Sequence, residues 1–79
     1  MTLDDLKAIF AEYLDLPVDT DWAEVRYQET STWDSLAHMA IVGELEDRLR
    51  IMLDIEDVID MSSFDAAIRI LDKYGFAFA

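Results

Sequence analysis

The chain has 79 residues, enough for one small domain over residues 1–79, with no cysteine and a single histidine. A disulfide framework and a thiolate zinc site are therefore excluded, and no metal site is expected. Eighteen acidic residues against six basic ones leave a formal charge of −12, which argues against binding to nucleic-acid phosphates.

The first predicted element is a helix that begins at Leu3, where apolar residues start to recur at helical spacing. Thr2 is available as its N-cap. The helix is expected to end near Asp15, because Pro17 disfavours helical geometry at the residue before it.

A long irregular segment, from Leu16 to Asp34, follows the first helix. A loop of this length in a small domain is usually functional or pinned by its own apolar residues. The residues available as pins are Val18, Trp22, Val25, Tyr27 and Trp33.

The second helix is predicted to begin around Asp34 and Ser35 and to be the longest element. One apolar stripe at helical spacing is formed by Leu36, Met39, Val42, Leu45, Leu49 and Met52. Residues 54–61 fit at most a short helix.

The last helix is predicted from about Phe64 to Tyr74, with Ser62 or Ser63 as its N-cap and Gly75 just after its C-cap. Its buried side is expected to hold Phe64, Ala67, Ile68 and Leu71. Phe76 and Phe78 in the tail either fold back onto the helices or fray.

These elements predict an all-α fold, a small antiparallel bundle of three longer helices plus one short helix, with a long loop between helices one and two. The predicted core consists of Leu6, Phe10, Val42, Leu45, Ile59, Phe64, Ile68 and Leu71. Signal-peptide features and segments of membrane-spanning length are missing, so a cytoplasmic protein without membrane insertion is expected.

Ser35 lies where the long loop meets the second helix, so its hydroxyl is expected to be exposed at a helix N-terminus. Backbone N–H groups and the helix dipole favour a phosphate there. The Asp34 carboxylate would help to hold a magnesium ion that accompanies a pyrophosphate donor. The simpler interpretation is that Asp34-Ser35 is an ordinary N-cap.

Two segments carry a family resemblance. Asp34-Ser35-Leu36, followed by the apolar and acidic residues 40–47, resembles the signature of acyl carrier proteins. Residues 61–68 (MSSFDAAI) are similar to that family's entry to its last helix, at a matching separation. The resemblance implies that a phosphopantetheinyl transferase attaches 4′-phosphopantetheine, taken from coenzyme A, to Ser35, with Asp34 and Leu36 beside it. It also implies that the chain is not an enzyme.

The resemblance further implies a free-standing, monomeric carrier of acyl thioesters for a fatty-acid, polyketide-like or other specialised pathway. Its partners would be the transferase and the enzymes that load, modify and transfer the acyl group. Thr32 and Trp33 stand where the family commonly has glycine and a small residue. Acidic residues after the serine resume only at Glu44, which favours a specialised pathway.

Several residues around the serine and on the acidic helices are expected to dock partner enzymes. They are Trp33, His38, Met39, Glu44, Glu46, Asp47, Glu56 and Asp57. The acidic members would act chiefly on encounter rate and partner choice, and His38 is expected at the surface. In many family members the bundle parts to shelter the acyl chain, and Met39, Met61 and Ile59 are candidates to line that space.

Alternative functions remain open. An aminoacyl or peptidyl carrier would use the same arm, and an unmodified acidic helical module would bind a basic partner. A hydrolase built on Asp34, Ser35 and His38 ranks last, because the chain has no nucleophile-elbow glycines and little mass to form a cleft.

Overall fold

The computed structural model describes residues 1–78, and this part of the chain is all-α, as predicted. Its helices are α1 (Leu3–Leu14), α2 (Ser35–Leu49), α3 (Ile55–Asp60) and α4 (Phe64–Lys73). A short 3₁₀ turn, Trp22–Glu24, interrupts the long loop between α1 and α2. None of the helices among the described residues is both long enough and apolar enough to cross a bilayer.

Side-chain caps explain where the helices begin. The Thr2 hydroxyl accepts a hydrogen bond from the Asp5 N–H at 3.1 Å, and the Asp5 carboxylate accepts one from the Thr2 N–H at 3.0 Å. This reciprocal capping box fixes the start of α1. Ser63 caps α4 with a single bond, which its hydroxyl accepts from the Ala66 N–H at 2.9 Å. The predicted caps are therefore confirmed.

Phe10 on α1 is the centre of an aromatic core. Its ring centroid lies 6.4 Å from Trp22, 5.4 Å from Trp33 and 5.1 Å from Phe64, each in an edge-to-face arrangement. Trp22 and Phe64 also contact each other at 4.8 Å. Edge-to-face pairs add to the free energy gained by burying these large rings. The cluster joins α1, the long loop and the start of α4.

The long loop is pinned to the core and to the connection between α3 and α4. Trp22, Val25 and Trp33 are buried, whereas Val18 is exposed, so its predicted role as a pin is wrong. The Tyr27 N–H donates to the Ser62 carbonyl at 2.9 Å, and the Phe64 N–H donates to the Val25 carbonyl at 3.1 Å. These bonds satisfy loop backbone groups that would otherwise be left without partners.

The apolar stripe predicted for α2 is wrong at its amino-terminal end. Leu36 and Met39 are exposed, as is Met52 beyond the helix. The buried face of α2 is instead formed by His38, Ile41, Val42 and Leu45. α2 is therefore rotated about its own axis relative to the prediction. The reason is that Trp33 of the loop is buried, and His38 faces inward to form a hydrogen bond with it.

Two predicted core residues also need correction. Ile59 is 70% exposed, because the short helix α3 turns the neighbouring Val58 inward instead. Ile68 is half-buried, and Ile70 on α4 is the buried residue. In the tail, Phe78 is buried, so the alternative in which the tail folds back is confirmed for the described residues.

We expect Phe10→Ala to lower the free energy of unfolding by about 3–5 kcal/mol, because it removes the ring that the other three core aromatics contact. Chemical unfolding followed by tryptophan fluorescence measures this change. Val18→Ala is the control, because Val18 is exposed in the same part of the molecule and should change stability by less than about 0.5 kcal/mol. Equal effects of the two substitutions would contradict the aromatic core.

Candidate functional site

Ser35 is the first residue of α2 and is exposed, as predicted. Asp34 is the N-cap, and its Oδ1 accepts a hydrogen bond from the Ala37 N–H at 2.9 Å. The first turn of α2 contains no acidic residue. The Ser35 hydroxyl therefore lies at the positive end of a helix dipole, in a position that favours a negatively charged substituent.

Tyr27 contacts Ser35 from the long loop. Its phenolic oxygen lies 3.1 Å from Ser35 Oγ, within hydrogen-bonding distance. The Tyr27 ring packs against Trp33, with centroids 6.1 Å apart, and against His38, with centroids 5.1 Å apart. The sequence identified Tyr27 only as a loop pin, because the contact with Ser35 depends on the path of the loop. No pattern in the chain indicates that path.

His38 is buried, which corrects the prediction that it lies at the surface. The Trp33 Nε1–H donates to His38 Nδ1 at 3.0 Å, and His38 Nε2 lies 2.7 Å from the Val58 carbonyl oxygen. An indole N–H can only donate and a carbonyl can only accept. These partners therefore assign His38 as the neutral ring, with its proton on Nε2.

These two bonds join three parts of the molecule. Val58 lies in the last turn of α3, where carbonyl groups lack a partner within the helix, and His38 supplies one. Trp33 is fully buried, so the prediction that it forms part of a docking surface is also corrected. Because both nitrogens of His38 are already bonded, the ring is not available as a general base for Ser35.

A pocket of about 370 Å³ opens beside Ser35, between α2 and α3. It is lined by Tyr27, Ser35, His38, Met39, Ile55, Val58 and Ile59. Its volume lies within the range of about 300–1,000 Å³ that is typical of small-molecule sites. Of the three residues expected to line an acyl-chain shelter, Met39 and Ile59 border this pocket, whereas Met61 is fully buried and is not part of the lining.

The rim of this pocket is unusually apolar for an exposed surface. Among its lining residues, Ile55 is 71% exposed, Ile59 is 70% exposed and Met39 is 58% exposed. We call Met39, Ile55 and Ile59 the apolar rim. Contiguous exposed apolar side chains are typical of binding surfaces.

The acidic residues predicted to dock partners fall into two groups. Asp47 and Glu56 are exposed. Glu44 accepts hydrogen bonds from the Tyr13 hydroxyl and the Arg48 guanidinium, which lower the pKa of its carboxyl. Glu46 accepts a bond from the Leu53 N–H at 2.9 Å. Docking through these four residues stays a prediction. Glu44 and Glu46 also form hydrogen bonds within the fold.

Asp57 is buried, so its predicted place on a docking surface is corrected. Its carboxylate forms an ion pair with Lys73 and accepts a hydrogen bond from the Tyr74 hydroxyl at 2.6 Å. These contacts, that of Lys73 first, lower the pKa of Asp57 below its ordinary value. The Tyr74 hydroxyl also accepts a bond from the Asp54 N–H at 3.0 Å, so the end of α4 holds the start of α3.

Comparison of this chain with protein-family models, with curated proteins and with the solved structures found no match. Within residues 1–78, no group of three or more histidine, aspartate or glutamate side chains is placed to hold a metal ion. The functional evidence from the structure is therefore Ser35, its Tyr27 contact and the adjacent pocket.

We expect His38→Ala to lower the free energy of unfolding by about 2–4 kcal/mol, because it leaves the Trp33 N–H and the Val58 carbonyl without partners. Urea unfolding measures the change. Leu36→Ala, an exposed position on the same helix, is the control and should cost less than about 0.5 kcal/mol. A His38→Ala variant as stable as the wild type would contradict the assigned hydrogen bonds.

The pairing of Asp57 predicts a pH dependence of stability. Because its pKa is lower in the folded than in the unfolded chain, ionised Asp57 stabilises the fold above the ordinary carboxyl value of about 3.9. This contribution is lost as the pH falls through the lower, folded-state pKa. We therefore expect the stability difference between wild type and Asp57→Asn to be largest near neutral pH and to shrink on acidification.

Urea unfolding at a series of pH values measures that difference. Asp47→Asn is the matched control, because Asp47 is exposed and the same charge is removed. A difference between wild type and Asp57→Asn that stays constant down to about pH 3 would contradict the pairing.

Proposed function

We propose that this chain is an acyl carrier protein, in which Ser35 carries 4′-phosphopantetheine. The observation that carries the proposal is the exposed Ser35 hydroxyl at the start of α2, beside a largely apolar pocket of about 370 Å³. The likeness of Asp34-Ser35-Leu36 and its following helix to the signature of that family supports the same conclusion.

The residues around Ser35 fit a phosphodiester. The hydroxyl is exposed and the helix dipole favours negative charge there; the one acidic side chain at this helix start is the N-cap, Asp34. The Asp34 carboxylate is held by the Ala37 N–H. In the family it resembles, the chain needs no cleft of its own, because the modifying enzyme supplies the catalytic groups.

In the modification, Ser35 Oγ forms a bond to the phosphorus that bears the pantetheine part of coenzyme A. The P–O bond of the pyrophosphate breaks, adenosine 3′,5′-bisphosphate leaves, and a base on the transferase takes up the hydroxyl proton. Asp34 directly precedes Ser35 in the chain and is our candidate to contact the magnesium ion that neutralises the pyrophosphate. When bound, 4′-phosphopantetheine supplies the thiol that holds an acyl group as a thioester.

The pocket gives an acyl chain a place out of water. Met39 and Ile59 border it with flexible and branched apolar side chains, and burial of each methylene group contributes about 0.8 kcal/mol. Ser35 is part of the lining, so the attachment point of the arm lies next to the pocket that would shelter the acyl chain. A tether that keeps the intermediate near each docked enzyme raises its effective concentration, which is the physical reason for a carrier.

We further propose that the helices form the antiparallel bundle expected for such a carrier. Contacts between α1 and α2, and between the 3₁₀ turn and α4, support this arrangement. The apolar rim around Ser35, with the exposed carboxylates of Asp47 and Glu56 on α2 and α3, is our candidate docking surface for the transferase and for acyl-loading, modifying and acyltransferase enzymes.

We propose that the chain does not catalyse a reaction itself. Ser35 and His38 both line the pocket, but both nitrogens of His38 are bonded to other groups. One departure from the family pattern, the lack of acidic residues between Ser35 and Glu44, favours a specialised pathway over general fatty-acid synthesis.

The proposal predicts that the protein gains one phosphopantetheine when incubated with coenzyme A, magnesium and a broad-specificity phosphopantetheinyl transferase. Intact-protein mass spectrometry detects the gain. Ser35→Ala should show none, because it lacks the attacking oxygen. Ser62→Ala is the matched control, because Ser62 is also exposed, and it should be modified like the wild type.

Absence of modification on folded wild-type protein would overturn the carrier proposal and favour an unmodified acidic interaction module. Modification followed by loading with an aminoacyl group in place of an acyl group would favour the aminoacyl or peptidyl carrier alternative.

A further inference from the structure

The contact between Tyr27 and Ser35 joins an ordered loop to the reactive hydroxyl. The two oxygens are 3.1 Å apart, and in the unmodified protein either hydroxyl can donate. Both residues line the pocket beside α2. Tyr27 is thus hydrogen-bonded to the Ser35 hydroxyl, which is the group that reacts in the proposed function.

The position of Tyr27 is fixed at both its backbone and its ring. Its N–H donates to the Ser62 carbonyl at 2.9 Å, next to the isolated bridge between Arg26 and Ser63. Its ring packs edge-on against Trp33 and at a tilt against the buried His38. A hydroxyl on a ring held in this way loses little additional conformational entropy when it makes its hydrogen bond.

The neighbouring turn adds to this constraint. Gln28 adopts a left-handed backbone conformation, with φ of 67°, and its N–H donates to the Trp33 carbonyl at 3.0 Å. A non-glycine residue in this region costs free energy, so the surrounding contacts must hold it there. The turn brings the chain back from Tyr27 to Trp33, two residues before Ser35.

We propose that Tyr27 is a positioning residue for Ser35, which orients its hydroxyl for modification and then donates a hydrogen bond to the phosphodiester formed on it. This inference rests on the proposed function. Once Ser35 is esterified, Oγ has no proton and can only accept, whereas the tyrosine hydroxyl can still donate. Tyr27 can therefore form a hydrogen bond at Ser35 both before and after modification, without a change in its position. A bond donated to an anionic group is stronger than one between neutral hydroxyls.

Tyr27→Phe tests this inference, because it removes the hydroxyl and keeps the ring that packs on Trp33 and His38. Tyr13→Phe is the matched control. It makes the same chemical change on another half-buried tyrosine, whose hydroxyl bonds Glu44 and not Ser35. Circular dichroism and urea unfolding check that both variants fold.

The first readout is the rate of phosphopantetheine attachment, followed by intact mass. We expect Tyr27→Phe to lower kcat/KM of the transferase for the carrier by about tenfold, and Tyr13→Phe to leave it unchanged. The second readout is the phosphorus NMR shift of the modified protein. It should differ between wild type and Tyr27→Phe and agree between wild type and Tyr13→Phe.

A phosphorus shift that is the same in wild type and Tyr27→Phe would overturn the inference, whatever the rate, and would leave the carrier function intact. Folded wild-type protein that gains no phosphopantetheine would overturn the carrier function, and the positioning role with it. The two failures are therefore distinct.

Discussion

The hydrogen bonds from the Trp33 indole through the His38 ring to the Val58 carbonyl are the constraint on which the site depends. They bring the end of the long loop, the first turn of α2 and the last turn of α3 together within the protein interior. Buried polar groups stabilise a single arrangement only when all are paired, and here each ring nitrogen has a partner. The pairing fixes the inward face of the first turn of α2, at whose start Ser35 is exposed.

The short helix α3 depends on side-chain contacts more than on its own length. A six-residue helix is too short to be stable alone, and its outward face leaves Ile55 and Ile59 in solvent. His38 contacts the Val58 carbonyl in its last turn, and Asp57 on its inward face forms an ion pair with Lys73 of α4. These contacts fix α3 beside α2, and the pocket that includes Ser35 lies between the two helices.

Local sequence signals predicted the helices well, because caps and chain breakers act within a few residues. Thr2, Asp34 and Ser63 cap as expected, and the exposed Ser35 follows from its place after Asp34. The inward turn of His38 was missed, because periodicity treats histidine as polar and gives no sign that a tryptophan five residues earlier will pair with it. Tyr27 beside Ser35 was missed for the same reason, since its place depends on tertiary contacts of the loop.

The most direct test of this constraint is a nitrogen NMR measurement of coupling across the hydrogen bond between Trp33 Nε1 and His38 Nδ1. We predict a resolved coupling, with the chemical shift of an unprotonated nitrogen at Nδ1 and that of a protonated one at Nε2. A Trp33 indole proton that exchanges freely with water, together with averaged shifts for the two His38 nitrogens, would show that the ring is not held as described.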